Sequence, residues 1–141
     1  MPPPVQNNSG AMDAPIPGAP AALSLLLLVA QGARRERLQE LIRRLVPTSR
    51  IETIGSALDV MRRLARARAD LLILDYAMDG VAGQSLIRHL ARAAPSLSVL
   101  AFDDAVRSLT DPCCDVWPWS EAEVALRRLI ERHLEHGARR H

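Results

Sequence analysis

Asp70-Leu71-Leu72-Ile73-Leu74-Asp75-Tyr76-Ala77-Met78-Asp79-Gly80-Val81-Ala82-Gly83-Gln84-Ser85-Leu86-Ile87-Arg88-His89-Leu90 is the stretch whose reading decides the fold. Leu71–Leu74 is a continuous apolar run with no polar alternation, the pattern of a short strand buried on both faces. It stops at a carboxylate, Asp75. A loop through Asp79 and Gly80 follows, and then Leu86, Ile87 and Leu90 recur at helical spacing over 83–94, with Pro95 beyond the end. Strand, carboxylate, loop and helix make one half of a β-α-β unit.

The same alternation extends in both directions. Upstream, Leu25–Ala30 reads as a second strand buried on both faces. Leu38, Leu41, Ile42 and Leu45 mark a helix over Ala33–Val46, which Pro47 ends. Arg50–Ile54 is a short strand. Ser56 as N-cap with Asp59 three residues on opens a helix whose apolar face is read as Leu58, Met61, Leu64 and Ala65. Downstream come a strand at Leu97–Phe102, a short helical stretch at 105–109 closed by Asp111-Pro112, and a last strand at 114–117. Ser120-Glu121-Ala122-Glu123 then reads as a capping box for a final helix through about Glu135, with Val124, Leu126, Leu129, Ile130 and Leu134 as its apolar positions.

Alternating strands and helices joined by right-handed crossovers give a parallel sheet with helices on both faces. The expected fold is therefore α/β, a five-stranded, doubly wound, flavodoxin-like (βα)5 sheet with a short fourth helix. Such sheets hold their ligand site at the carboxyl ends of the strands. This singles out Ala30-Gln31, Asp75-Tyr76, Phe102-Asp103 and the Trp117-Pro118 region.

Composition fits one such domain. The chain has 141 residues, 48% of them hydrophobic and 24% charged, and a domain of this size buries about two-thirds of its unfolded surface. With aromatics at only 3%, the core must be built from Leu, Ile, Val and Ala. Residues 1–22, rich in Pro, Gly and Ala, are expected to form a disordered tail. The folded domain is expected over 23–136 and a C-terminal tail over 137–141. The formal net charge of +2 is too small to suggest nucleic-acid binding. All 18 basic residues are Arg, so chemistry that needs a lysine ammonium is excluded.

The adjacent Cys113 and Cys114 are poorly placed for a mutual disulfide or a zinc site and read as reduced thiols. The apolar run at 23–30 is too short to span a bilayer. The first basic residue is Arg34, so a signal peptide would lack its charged n-region. These features point to a cytoplasmic protein with no membrane partner.

The stretch from Asp70 to Leu90 resembles the third strand and helix of response-regulator receiver (CheY-like) domains, where an aspartate ends the strand, a loop of this length follows, and a glycine precedes the helix. The resemblance implies a two-component signal-transduction domain that is not an enzyme, with Asp75 in the phosphoacceptor position. An aspartate fixed at a strand end is well placed as a nucleophile toward phosphorus. The family's other phosphorylation residues find no match. Ala30 and Gln31 stand where the Mg²⁺-holding acidic pair belongs, and one carboxylate with a glutamine makes a poor Mg²⁺ site. Phe102 stands at the switch-hydroxyl position, and Trp117 and Pro118 occupy the region of the lysine. Asp103 and Asp104 are auxiliary carboxylates on a neighbouring loop.

The resemblance thus implies a degenerate, pseudo-receiver variant with no cofactor. Such a domain would act by dimerisation or by docking to a histidine kinase or regulatory protein, with Trp117 and Trp119 as interface candidates. Two alternatives remain open at this point: a slow but working receiver using Asp75, and a flavodoxin-like small-ligand binder or enzyme. The second lacks a glycine-rich phosphate loop after the first strand. His133 and His136 read as exposed polar decoration, and the cluster Arg62, Arg63, Arg66 and Arg68 as a solvated face. Nucleic-acid contact is not expected of this domain alone, because no helix-turn-helix pattern accompanies it.

Overall fold

The computed structural model describes residues 23–76, 81–104 and 115–139. The tail at 1–22, the Asp79-Gly80 loop, the short helix at 105–109, Asp111, Pro112, Cys113, Cys114, Arg140 and His141 lie outside the described residues, as does the side chain of His136.

Strands β1 (Ser24–Leu28), β2 (Arg50–Thr53), β3 (Leu71–Asp75), β4 (Ser98–Asp103) and β5 (Asp115–Pro118) alternate with helices α1 (Ala33–Leu45), α2 (Ala57–Arg66), α3 (Val81–Ala93) and α4 (Ala122–Arg139). All pairings are parallel, in the order β2-β1-β3-β4-β5. This is the five-stranded flavodoxin-like sheet that the sequence predicts, and β2 and β5 are its edges.

Successive strand residues face opposite sides of the sheet, so each central strand feeds two cores. Leu25, Leu27, Leu71, Ile73, Leu100 and Phe102 pack with Leu38, Leu41 and Ile42 of α1 and Leu126, Leu129 and Ile130 of α4. Leu26, Leu28, Leu72, Leu74 and Ala101 pack on the other side with Val60 of α2 and Leu86, Ile87 and Leu90 of α3. The four apolar residues of β3 are fully buried, each contributing roughly 1.5–3 kcal/mol by leaving water.

Several local expectations need correction. Ser56 does cap α2, its side chain accepting a hydrogen bond from the Asp59 N–H, but the helix presents a different face. Val60 is buried with Ala57 and Leu64 against it, whereas Leu58, Met61 and Ala65 are exposed. The helix carries apolar residues on two sides, so spacing alone did not choose between them. Helix α3 begins at Val81, which places Gly83 inside the helix rather than before it.

The last helix is entered through a 3-10 turn at Trp119–Glu121 that follows Pro118 and has no side-chain cap. Ser120 sits inside that turn, so the expected capping box is replaced. In α4, Ala122 and Ala125 are buried while Val124 is exposed. No described helix is long and apolar enough to cross a membrane.

Candidate functional site at the carboxyl edge of the sheet

Parallel pairing brings the strand ends to one edge. Asp75, half-buried, sits opposite Phe102 in the β3–β4 register, and the Tyr76 N–H donates to the Phe102 carbonyl at 2.8 Å. Phe102 sits opposite Trp117 in turn, and Asp103 opposite Pro118. Past β1, Ala30 and Gln31 are exposed. The chain then turns at Gly32, whose φ of +152° and ψ of −171° lie in a region open essentially only to glycine. The sequence-predicted positions Ala30, Gln31, Asp75, Phe102, Asp103, Trp117 and Pro118 therefore share one edge of the molecule.

The chemistry at this edge is set by groups of both signs. Arg34, in the first turn of α1, pairs with Asp104 after β4. Its Nη2 donates to Oδ1, and its Nη1 lies 3.3 Å from Oδ2. The same guanidinium carbon lies 4.9 Å from the centroid of the Trp119 ring, a cation–π distance. Trp119 stacks on Phe102 with centroids 4.8 Å apart and an interplanar angle of 25°. The buried indole Nε1 of Trp119 has no hydrogen-bond partner among the described residues. Asp104 is therefore held by an arginine, and Trp119 belongs to the core stack. Arg34 was not singled out in the sequence, because its partners lie far along the chain.

Trp117 faces the same side of the sheet as Phe102 and is part-buried against the first core. On edge strand β5 it lies under Arg128, 5.5 Å from the ring centroid. With Asp115, Arg128, Glu131, Arg132 and Glu135 it lines a groove of about 380 Å³, in which Arg132 and Asp115 form an ion pair.

Mg²⁺ prefers several carboxylate oxygens in octahedral geometry. Here Asp75 faces a loop bearing Ala30 and Gln31, and Asp104 is paired with Arg34. Taken from the described residues, this donor set does not fit that ion. Among the described residues no group of three or more His, Cys, Asp and Glu side chains is gathered as if for a metal.

The opposite edge holds an arrangement that sequence reading missed. His133 is not exposed decoration. Its Nε2 lies 3.5 Å from Asp70 Oδ1 and its Nδ1 3.4 Å from Ser98 Oγ. Asp70 Oδ2 accepts the Ser24 N–H at 2.8 Å. These residues tie α4 to the starts of β1, β3 and β4. They are separated by 28 residues or more in sequence, so no local motif announces them. Arg63 is not simply solvated either: its Nε donates to Glu52 at 2.8 Å and its Nη1 to the Ala67 carbonyl at 2.7 Å.

No protein-family model and no curated protein sequence matches the chain. Solved structures do. The signal receiver domain of an HD domain-containing protein from Pseudomonas fluorescens aligns with a TM-score of 0.68 at 18% identity, over 88% of this chain and 98% of that one. The response regulator TrrA from Thermotoga maritima, in complex with Mg²⁺–BeF, aligns with a TM-score of 0.61 at 16% identity, over 76% and 98%. A structure of the Thermotoga maritima histidine kinase ThkA in complex with TrrA also matches, with a TM-score of 0.59 at 17% identity, over 76% and 97%. Topology, register and these likenesses agree: the chain has the fold of the response-regulator receiver (CheY-like) domains.

Proposed function

We propose that this chain is a receiver-type domain of two-component signal transduction that acts in the cytoplasm by protein contact, without Mg²⁺-dependent phosphorylation of Asp75. The observation that carries this reading is the makeup of the carboxyl edge. Phosphoryl transfer to a carboxylate gathers negative charge, which must be met by cations and donors already in place. Beside Asp75 the loop after β1 carries Ala30 and Gln31, the end of β4 carries the apolar ring of Phe102, and the end of β5 carries Trp117 and Pro118. Arg34, the cation found there among the described residues, is paired with Asp104.

The contact surface we assign is edge strand β5 with α4. Trp117 and the mixed-charge groove beside it supply an aromatic anchor with a polar rim, the anatomy of a protein interface. The partner is a histidine kinase, a regulatory protein or a second copy of the chain. Trp119, stacked on Phe102, supports that surface from beneath.

The test is the intact mass of the full chain after incubation with acetyl phosphate and Mg²⁺, with Asp75→Asn as control. The expected result is no adduct on either protein. A phosphoryl adduct on the parent that is missing from the variant would overturn the reading in favour of a working receiver.

A further inference from the structure

In the sheet order, β3 lies between β1 and β4, and β5 lies beyond β4. A contact from the segment after β1 to the segment after β4 therefore spans the position of β3, the strand that ends at Asp75. Arg34 makes that crossing. It begins in the first turn of α1, pairs with Asp104 after β4 through two nitrogens, and lies over the ring of Trp119 after β5. The Trp119 ring is itself stacked on Phe102, the register partner of Asp75.

An exposed ion pair alone contributes little, and this one is half-exposed at both ends. Two features set it apart. A planar guanidinium can meet a carboxylate through two nitrogens and lie against an aromatic ring at once, which an ammonium cannot do. The ring it covers is anchored in the core rather than loose on the surface.

The geometry points to a built-in strap: Arg34, Asp104 and Trp119 join the segments after β1, β4 and β5 across the end of β3, and so fix the Trp117–Glu121 segment from within, without chemistry at Asp75. This deepens the proposed function and rests on it in one respect, that the surface bearing Trp117 is the one partners read. The strap holds that surface in one state by contacts the chain supplies itself. A partner or a change in ionic strength that separates Arg34 from Asp104 releases it.

The reporter is the buried indole N–H of Trp119. In ¹H–¹⁵N spectra of the full chain, with the two indole signals assigned by Trp117→Phe, we compare the parent with Arg34→Lys and Asp104→Asn. Both substitutions fall on half-exposed side chains, and circular dichroism checks that the fold is kept. The strap requires each variant to shift the Trp119 signal and speed its solvent exchange by about tenfold, as expected when the guanidinium no longer joins carboxylate and ring at once. The Trp117 indole signal, at the start of the same segment, should shift with it. An unchanged Trp119 signal in both variants would overturn the strap.

Treating the parent with acetyl phosphate and Mg²⁺ separates this inference from the function it rests on. An adduct without movement of the Trp119 signal sinks the phosphorylation-independent reading and leaves the strap standing. An adduct that moves the signal overturns the strap as well, because chemistry at Asp75 would then set the segment.

Discussion

The ring of Trp119 lies stacked on that of Phe102, centroids 4.8 Å apart and planes 25° from parallel. Phe102 is fully buried at the end of β4, so the stack joins the carboxyl edge of the sheet to the 3-10 turn that opens α4. Stacked aromatics of this kind contribute about 0.5–1.5 kcal/mol beyond the area they bury.

Placing a hydroxyl at the end of β4 should therefore destabilise the fold rather than repair a switch. Phe102→Thr removes the ring under Trp119 and buries a polar group, for an expected loss of about 3–5 kcal/mol in urea unfolding. Trp119→Phe, which keeps an aromatic pair, should cost distinctly less. A Phe102→Thr protein as stable as the parent would show that the stack is not what holds this edge.

The two apolar sides of α2 should separate cleanly under substitution. Val60 is fully buried whereas Leu58 is 54% exposed. Val60→Ala is expected to lower unfolding free energy by roughly 1–2 kcal/mol, and Leu58→Gln to stay within about 0.5 kcal/mol. Thermal and urea unfolding of the two variants side by side checks the assignment, and the reverse order would mean that Leu58 faces the core.

At the amino edge, Asp70 is the member to remove. Asp70→Ala leaves the part-buried Ser24 N–H without its 2.8 Å acceptor and strips His133 of a partner, for an expected loss of about 1–3 kcal/mol. Asp70→Asn keeps an acceptor and should recover much of that. His133→Ala should be milder, since its contacts are long, at 3.4 and 3.5 Å. Equal losses for Asp70→Ala and Asp70→Asn, measured by urea unfolding, would remove the backbone hydrogen bond as the cause.

The central strands were legible because strands buried on both faces must be apolar throughout, and Leu25–Leu28 and Leu71–Leu74 are. Asp75 stood out as the first charge after such a run. Helix α2 was misread because Leu58 and Met61 repeat at the same spacing as Ala57, Val60 and Leu64, and only the position of the sheet picks the buried side. The Ser120 capping box failed for a related reason. Trp119 has its ring on Phe102, and the chain runs from there through a 3-10 turn that begins one residue before the expected cap.

By itself the sequence determined the order of elements, the doubly wound parallel sheet and the set of residues brought to its carboxyl edge, since hydrophobic period and turn residues are local properties. It also excluded a lysine from that edge. Only the tertiary structure decided which carboxylates meet which cations: that Arg34 pairs with Asp104 across β3, and that His133 turns to Asp70 and Ser98. Those partners are 35 to 70 residues apart in sequence. Ion pairs and ring contacts act over a few ångströms of space whatever the separation along the chain, so nothing short of the folded sheet could name them.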